Sequence, residues 1–313
     1  MAPTVLIVGA TGNTGRSVAE TLPKLLENTK LASHHILALT RDISSPSAQA
    51  LANLSGVELA EQNWVEIDDT WLREHEVARI FIASHVQPNQ FAEEGQFLLN
   101  ALRAGAKYVV RISTTAANVR PDIPAYYARA HWAIETMLSQ PEFKELHWTS
   151  LQPNAFMSLA LATTAGFIQD FRKSGKQGPL SIILDASTPT GLIDPYDVGV
   201  VAAHLLAQED ITPHNQARYV LNGPEDVTGE QIAKMAEQYI GEPVEDVRFK
   251  DVAFVDQMVA ASSESKNVIG SIKFAPVTIW EGKAKAETTS KEILDLYAPE
   301  RTAGEMLKQL IEA

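Results

Sequence analysis

The apolar run Val5-Leu6-Ile7-Val8 breaks at Gly9 into Ala10-Thr11-Gly12-Asn13-Thr14-Gly15-Arg16, and this segment constrains the fold more than any other. Four consecutive apolar residues suit a central parallel strand buried on both faces. Glycines at 9, 12 and 15 then suit a phosphate-binding turn that enters a helix. Gly9 permits the tight turn, Gly12 removes the side chain that would block a pyrophosphate, and Gly15 lets helix and strand pack closely. The helix start adds free N–H groups and the positive end of the helix dipole. Three spaced glycines are a weak signal alone. Their position between a strand and a helix predicts a dinucleotide site holding Gly9, Thr11, Gly12, Asn13, Thr14, Gly15 and Arg16.

The next residues repeat the strand–helix alternation. Strands are expected at Ile36–Leu39, Val57–Leu59, Arg79–Ala83, Tyr108–Ile112 and Trp148–Leu151, with helices near 69–75, 90–104 and 125–139 between them. The first helix carries Val18, Leu22 and Leu25 on one face, with a kink expected at Pro23. This order predicts an α/β fold: a doubly wound parallel Rossmann sheet with a smaller α/β C-terminal substrate lobe. Residues 1–155 are assigned to the NAD(P)-binding domain, with 191–222 returning to it. Residues 156–190 and 223–313 are assigned to the smaller lobe. There, 156–173 reads as helix and Ser181–Leu184 as a strand. A helix opens at Asp194 and reaches about Leu206, and Arg218–Leu221 reads as another strand. Capping boxes start helices at Thr228-x-x-Gln231, which Gly241 ends, and at Thr302-x-x-Glu305. No flexible linker separates the lobes.

Composition narrows the function classes. A net charge of −13 over 313 residues leaves no basic face for nucleic acid. The absence of cysteine removes disulfides, thiolate metal sites and a cysteine nucleophile. No His/Asp/Glu cluster has metal-ligand spacing, and no G-x-S-x-G elbow is present. No apolar run reaches the roughly 20 residues that span a bilayer, so no membrane association is expected. The start of the chain enters its first strand with no basic leader, and a cytoplasmic location is expected.

Cofactor choice can be read at the end of the second strand. NAD-specific folds place an acidic residue there for the ribose 2′-hydroxyl. Here the order is Thr40-Arg41-Asp42. A guanidinium pairs with a 2′-phosphate where a carboxylate would repel it, so NADP(H) is favoured over NAD(H), with Arg16 as a second cationic contact. A solvated surface arginine is the competing reading of Arg41.

Several segments together resemble the NmrA-like family of the atypical short-chain dehydrogenase/reductase superfamily. They are the glycine turn, His131-Trp132-Ala133-Ile134-Glu135-Thr136-Met137-Leu138, and Leu151-Gln152-Pro153-Asn154-Ala155-Phe156-Met157 with Gln152 in place of the usual arginine. Asp194–Val198 and the turn Leu221-Asn222-Gly223-Pro224-Glu225 complete the likeness. The resemblance implies a Ser and a Tyr-x-x-x-Lys as catalytic residues. They fall on Ser113, Tyr127 and His131, with His131 standing where lysine is expected. Tyrosine and histidine at i and i+4 share a helical face, and His131 could supply the cation or donor that helps the phenol. Tyr126 is an alternative to Tyr127 as the residue facing the pocket. The resemblance further implies that Asn63 reaches the adenine and that Ala83 and Ser84 pass the adenosine ribose. Ser113 and His131 would contact the nicotinamide ribose, and Pro153, Asn154 and Phe156 would border the nicotinamide. His85 reads as a loop histidine, and Trp64, Trp71, Trp148 and Trp280 as packing residues. The family contains reductases of quinones, imines and other unsaturated molecules, and regulators that sense the nucleotide and bind a protein partner such as a transcription factor. An NADP(H)-dependent reductase acting on a small molecule (quinone, imine, enone or carbonyl) is the favoured expectation, and the sensor is the alternative.

Overall fold

Seven parallel strands form the central sheet of the computed structural model, which describes residues 2–312. The strands in chain order are β1 (Thr4–Val8), β2 (His35–Thr40), β3 (Val57–Glu61), β4 (Val77–Ile82), β5 (Tyr108–Ile112), β6 (His147–Pro153), β7 (Leu180–Ser181), β8 (Ala217–Leu221) and β9 (Val247–Arg248). The sheet runs β3-β2-β1-β4-β5-β6-β8, and β7 pairs with β9 alone. Strand order reverses between β1 and β4, so the turn after β1 opens at the switch point where α/β sheets bind ligands.

Side-chain alternation along β1 builds two layers. Val5 and Ile7 pack with Val18 and Leu22 of α1 (Gly15–Leu26). Leu51 of α2 (Pro46–Ala52) joins the same layer. Leu6 and Val8 pack with Leu72 of α3 (Asp69–Glu74), Phe97 and Leu98 of α4 (Gln90–Ala104), and Ile134 of α5 (Tyr126–Leu138). A separate core joins α6 (Met157–Ala160) and α7 (Ala162–Ser174) to later elements through Met157, Leu161 and Ile168. α8 (Pro195–Leu206) brings the chain back to the first layer, where Val198 and Val201 meet α1. Pro23 falls in the last turn of α1, which runs through it to Leu26.

Contact between α1 and α8 is close enough to require glycine. A β-carbon at Gly199 would lie 2.0 Å from Ser17 Oγ and 2.1 Å from the Thr14 carbonyl oxygen. The Ser17 hydroxyl is held by the carbonyls of Thr14 at 3.0 Å and Tyr196 at 2.8 Å. α8 thereby backs the first turn of α1.

The lobe outside the sheet is mostly helical. Ile232 and Ala236 of α9 (Gly229–Ile240) and Met306 and Leu307 of the helix Ala303–Glu312 share its core. Both capping boxes form: Gln231 N donates to Thr228 Oγ1 at 3.2 Å, and Glu305 N donates to Thr302 Oγ1 at 3.3 Å. The strand expected at Ser181–Leu184 is shorter, because only Leu180–Ser181 pairs with β9. Beyond it the two segments stay hydrogen-bonded outside a regular ladder, Ile182 N donating to the Arg248 carbonyl at 2.8 Å and Lys250 N, at a left-handed φ of +55°, to the Leu184 carbonyl at 2.9 Å. Among the described residues no helix is long and apolar enough to cross a membrane.

Candidate functional site

Parallel strands place all their carboxyl ends on one edge of the sheet. The segments singled out in the sequence follow β1 to β6, so the topology gathers them along that edge.

At the nucleotide end, Gly9 adopts φ +82°, and a β-carbon there would lie 2.7 Å from the Ala83 carbonyl oxygen. One at Gly15 would sit 2.1 Å from the Gly9 carbonyl oxygen, so the α1–β1 approach excludes any side chain. A β-carbon at Gly12 would meet only the Gly9 carbonyl oxygen, at 3.2 Å, and Gly12 is exposed. The space over Gly12 is therefore open to a ligand. Asn13 is exposed beside it, Thr11 half-buried and Thr14 buried. α1 has neither a side-chain cap nor an acidic residue in its first turn. An uncapped helix start facing an open glycine turn fits a pyrophosphate.

The two arginines differ. Arg41 is exposed and makes no ion pair with any described residue. The adjacent Asp42 carboxylate turns back to accept from Ser44 N at 2.8 Å and Ser44 Oγ at 2.6 Å, which holds its pKa below the usual range. Arg16 is engaged by Glu20 at 2.7 Å, and Glu20 also accepts from the Tyr196 hydroxyl at 3.0 Å. Asn63 caps the short turn Trp64–Glu66, accepting from Val65 N at 3.4 Å and donating to Glu66 Oε1 at 3.2 Å. Ser84 donates to Glu94 Oε2 at 2.6 Å. His85 pairs with Glu93 and accepts from Gln87 N.

The chemical end is built on a buried ionic network that the sequence reading did not find. Arg111 of β5 is fully buried. Its Nε donates to Glu94 Oε1 of α4 at 2.7 Å, its Nη1 to Ser150 Oγ of β6 at 3.0 Å, and its Nη2 to His131 Nδ1 of α5 at 2.9 Å. Glu135, one turn beyond His131, accepts from Ser113 Oγ at 2.8 Å, Ser150 Oγ at 2.6 Å, Gln152 Nε2 at 3.2 Å and Arg218 Nε at 2.9 Å. Glu94 and Glu135 flank the one buried guanidinium, Arg111, as a buried charge requires, and exposed Arg218 closes the network at its outer edge. A charged residue inside the apolar strand Val109-Val110-Arg111-Ile112 was the available signal, since a buried arginine must find a carboxylate.

This network alters the roles expected of three residues. Ser113 gives its hydroxyl to Glu135, so it does not pair with Tyr127; Thr114, one residue on, lies beside the phenol instead. His131 accepts from Arg111, and burial plus that guanidinium push its pKa well below the usual histidine value. It therefore offers Tyr127 no cation. Asn154 donates to the carbonyls of Gly191 at 2.9 Å and Ala284 at 3.3 Å and accepts from Thr115 Oγ1 at 3.4 Å, tying the end of β6 to two loops. Pro153 lies within β6 opposite Leu221, and half-buried Phe156 bridges to Ile193.

The two tyrosines are distinguished as well. The Tyr126 hydroxyl donates to the Val86 carbonyl. Tyr127 packs against the small core of Ile123, Ala125 and Ala128 and stands edge-on to His131, with ring centroids 6.4 Å apart. Burial raises its phenol pKa and Thr114 moderates the rise, so the phenol carries its proton at neutral pH.

Comparison with known proteins agrees with this architecture. A model of the NmrA-like family matches residues 1–275. An NAD(P)H azoreductase of Xenophilus azovorans is 28% identical over 241 residues, covering 77% of this chain and 75% of that protein. The NADPH complex of an Escherichia coli NADPH-dependent quinone oxidoreductase superposes with a TM-score of 0.72 at 21% identity, covering 98% of this chain and 99% of the other. The NADP complex of NmrA, a negative transcriptional regulator, also gives 0.72, at 14% identity over 100% of this chain and 96% of that one.

Proposed function

The chain belongs to the NmrA-like family, and from that premise we propose that it is an NADP(H)-dependent reductase of small unsaturated molecules. The observation that carries this reading is a protonated, half-buried phenol at the same sheet edge as an open phosphate turn. When bound, NADPH supplies a hydride, and the protein's task is to position the partners and deliver a proton. Gly9–Gly15 hold the pyrophosphate, and Arg41 pairs with the 2′-phosphate with no competing carboxylate. Tyr127 donates a proton to the reduced acceptor and regains it from solvent, so each turnover consumes one hydride and one proton. Quinones, azo compounds, imines, enones and carbonyls all accept that pair. The 28% identical relative is named for azo reduction, and a fold neighbour for quinone reduction.

A nucleotide-sensing regulator is the second reading. It is favoured by one observation in the structure, that the Ser113 hydroxyl, His131 Nδ1 and the Asn154 amide are spent on internal bonds, and the regulator NmrA shares the fold. The test is NADPH oxidation by the purified protein across quinones, azo dyes, imines, enones and aldehydes. Turnover with any of these supports the reductase. No NADPH consumption with any member, together with a protein partner released by NADP+ or NADPH, supports the regulator.

A further inference from the structure

His131 has one ring nitrogen committed and one open. Its Nδ1 lies 2.9 Å from Arg111 Nη2 and 3.5 Å from Gln90 Nε2, whereas its Nε2 bonds to no described residue. A guanidinium has only donors, so Nδ1 must present its lone pair and the ring proton must sit on Nε2. We propose that Arg111 is a positioning residue that locks His131 as the neutral Nε2–H form, making it an uncharged hydrogen-bond donor to the bound nucleotide.

The surroundings enforce this arrangement from each element packed on the ring. From β5, Arg111 would lose its bond and face a second cation if Nδ1 were protonated. From α4, Glu94 is occupied by Arg111 Nε at 2.7 Å and Ser84 Oγ at 2.6 Å, and Gln90 offers its amide nitrogen. On α5 itself, Tyr127 stands edge-on and Glu135 is saturated by donors, including Arg218 of β8. Among the described residues no free carboxylate faces the imidazole, so none compensates a proton there. The side-chain oxygen of Gln90, Oε1, is buried without a partner among the described residues.

This inference rests on the proposed nucleotide site but is tested separately from turnover. Long-range 15N–1H NMR of the protein without nucleotide should show His131 as a single Nε2–H tautomer, unchanged from pH 8 down to pH 5. Adding NADP+ should shift Nε2–H and leave Nδ1 nearly fixed. Arg111→Lys, which keeps the charge but shortens the reach, should give mixed tautomers and a titration nearer the ordinary histidine range. In wild type, an Nδ1–H signal or titration near pH 6.5 would overturn the proposal, whatever the variant does. An Nε2–H signal indifferent to NADP+, while calorimetry shows NADP+ bound, would overturn the donor role. If calorimetry detects no NADP+ binding at all, the nucleotide reading fails instead, and the donor role falls with it.

Discussion

Two ends of one sheet edge meet a ligand in opposite ways. At the nucleotide end the groups on offer are backbone amides, bare glycines and an arginine with no partner among the described residues. At the chemical end nearly every polar side chain is already bonded: Ser113 to Glu135, His131 to Arg111, Asn154 to two carbonyls. The first end leaves its backbone turn and Arg41 open although Arg16, Asn63 and Ser84 are bonded internally, and the second satisfies its side chains so that few remain. What stays available there is the Tyr127 phenol with Thr114 beside it, and His131 Nε2. Substituting residues at the chemical end should therefore affect stability first, and at the nucleotide end affinity first.

The largest effect should come from Glu135. Glu135→Ala strands Arg218 Nε and the Ser113 and Ser150 hydroxyls and leaves Arg111 with one carboxylate. A loss of about 2–4 kcal/mol is expected, from two buried hydroxyls left without their acceptor and a buried guanidinium left with a single carboxylate. Urea unfolding would measure it, and Glu135→Gln, which keeps an acceptor oxygen, should lose less. A fully stable Glu135→Ala protein would show that the buried network does not hold the chemical end together.

At the other end, Gly12→Val should cost at least about 100-fold in NADPH affinity, roughly 2.7 kcal/mol, while urea unfolding changes by under about 1 kcal/mol. The new side chain enters open space, with only the Gly9 carbonyl oxygen near its β-carbon. If Gly12→Val unfolds the chain but the folded fraction binds normally, the pyrophosphate does not lie there. The smallest effect concerns Arg41. Arg41→Ala should weaken NADPH by about 10–100-fold, the worth of a charge-assisted pair. NADH affinity should stay as it was. Equal losses for both nucleotides by calorimetry would show that Arg41 does not read the 2′-phosphate.

These two ends also differ in how far the sequence reveals them. The glycine turn is legible because its function lies in the backbone, and spacing alone encodes what a Cβ would block. Strands β1 and β5 and both capping boxes follow from local patterns for similar reasons. The chemical end depends on which side chains meet across elements. Arg111 in β5, Glu94 in α4 and Arg218 in β8 show no mutual pattern in one dimension. The exchange of Ser113 for Thr114 beside the phenol has a narrower cause. β5 ends at Ile112, and past a strand end the alternation that would decide which hydroxyl faces Tyr127 no longer applies. In the smaller lobe the expected strand is short because regular pairing with β9 covers only Leu180–Ser181, and that pairing depends on a partner distant in the sequence.

The central claim is that Tyr127 delivers a proton during NADPH-driven reduction, and Tyr127→Phe tests it most directly. The substitution keeps the ring against the Ile123, Ala125 and Ala128 core and His131 and removes only the hydroxyl. With a quinone or azo acceptor that the wild type reduces, turnover should fall about 10²–10⁴-fold, the usual worth of general acid catalysis. NADPH affinity should change little, since the phenol is not assigned to the nucleotide. A Tyr127→Phe protein that reduces the same acceptor at the wild-type rate would contradict the account.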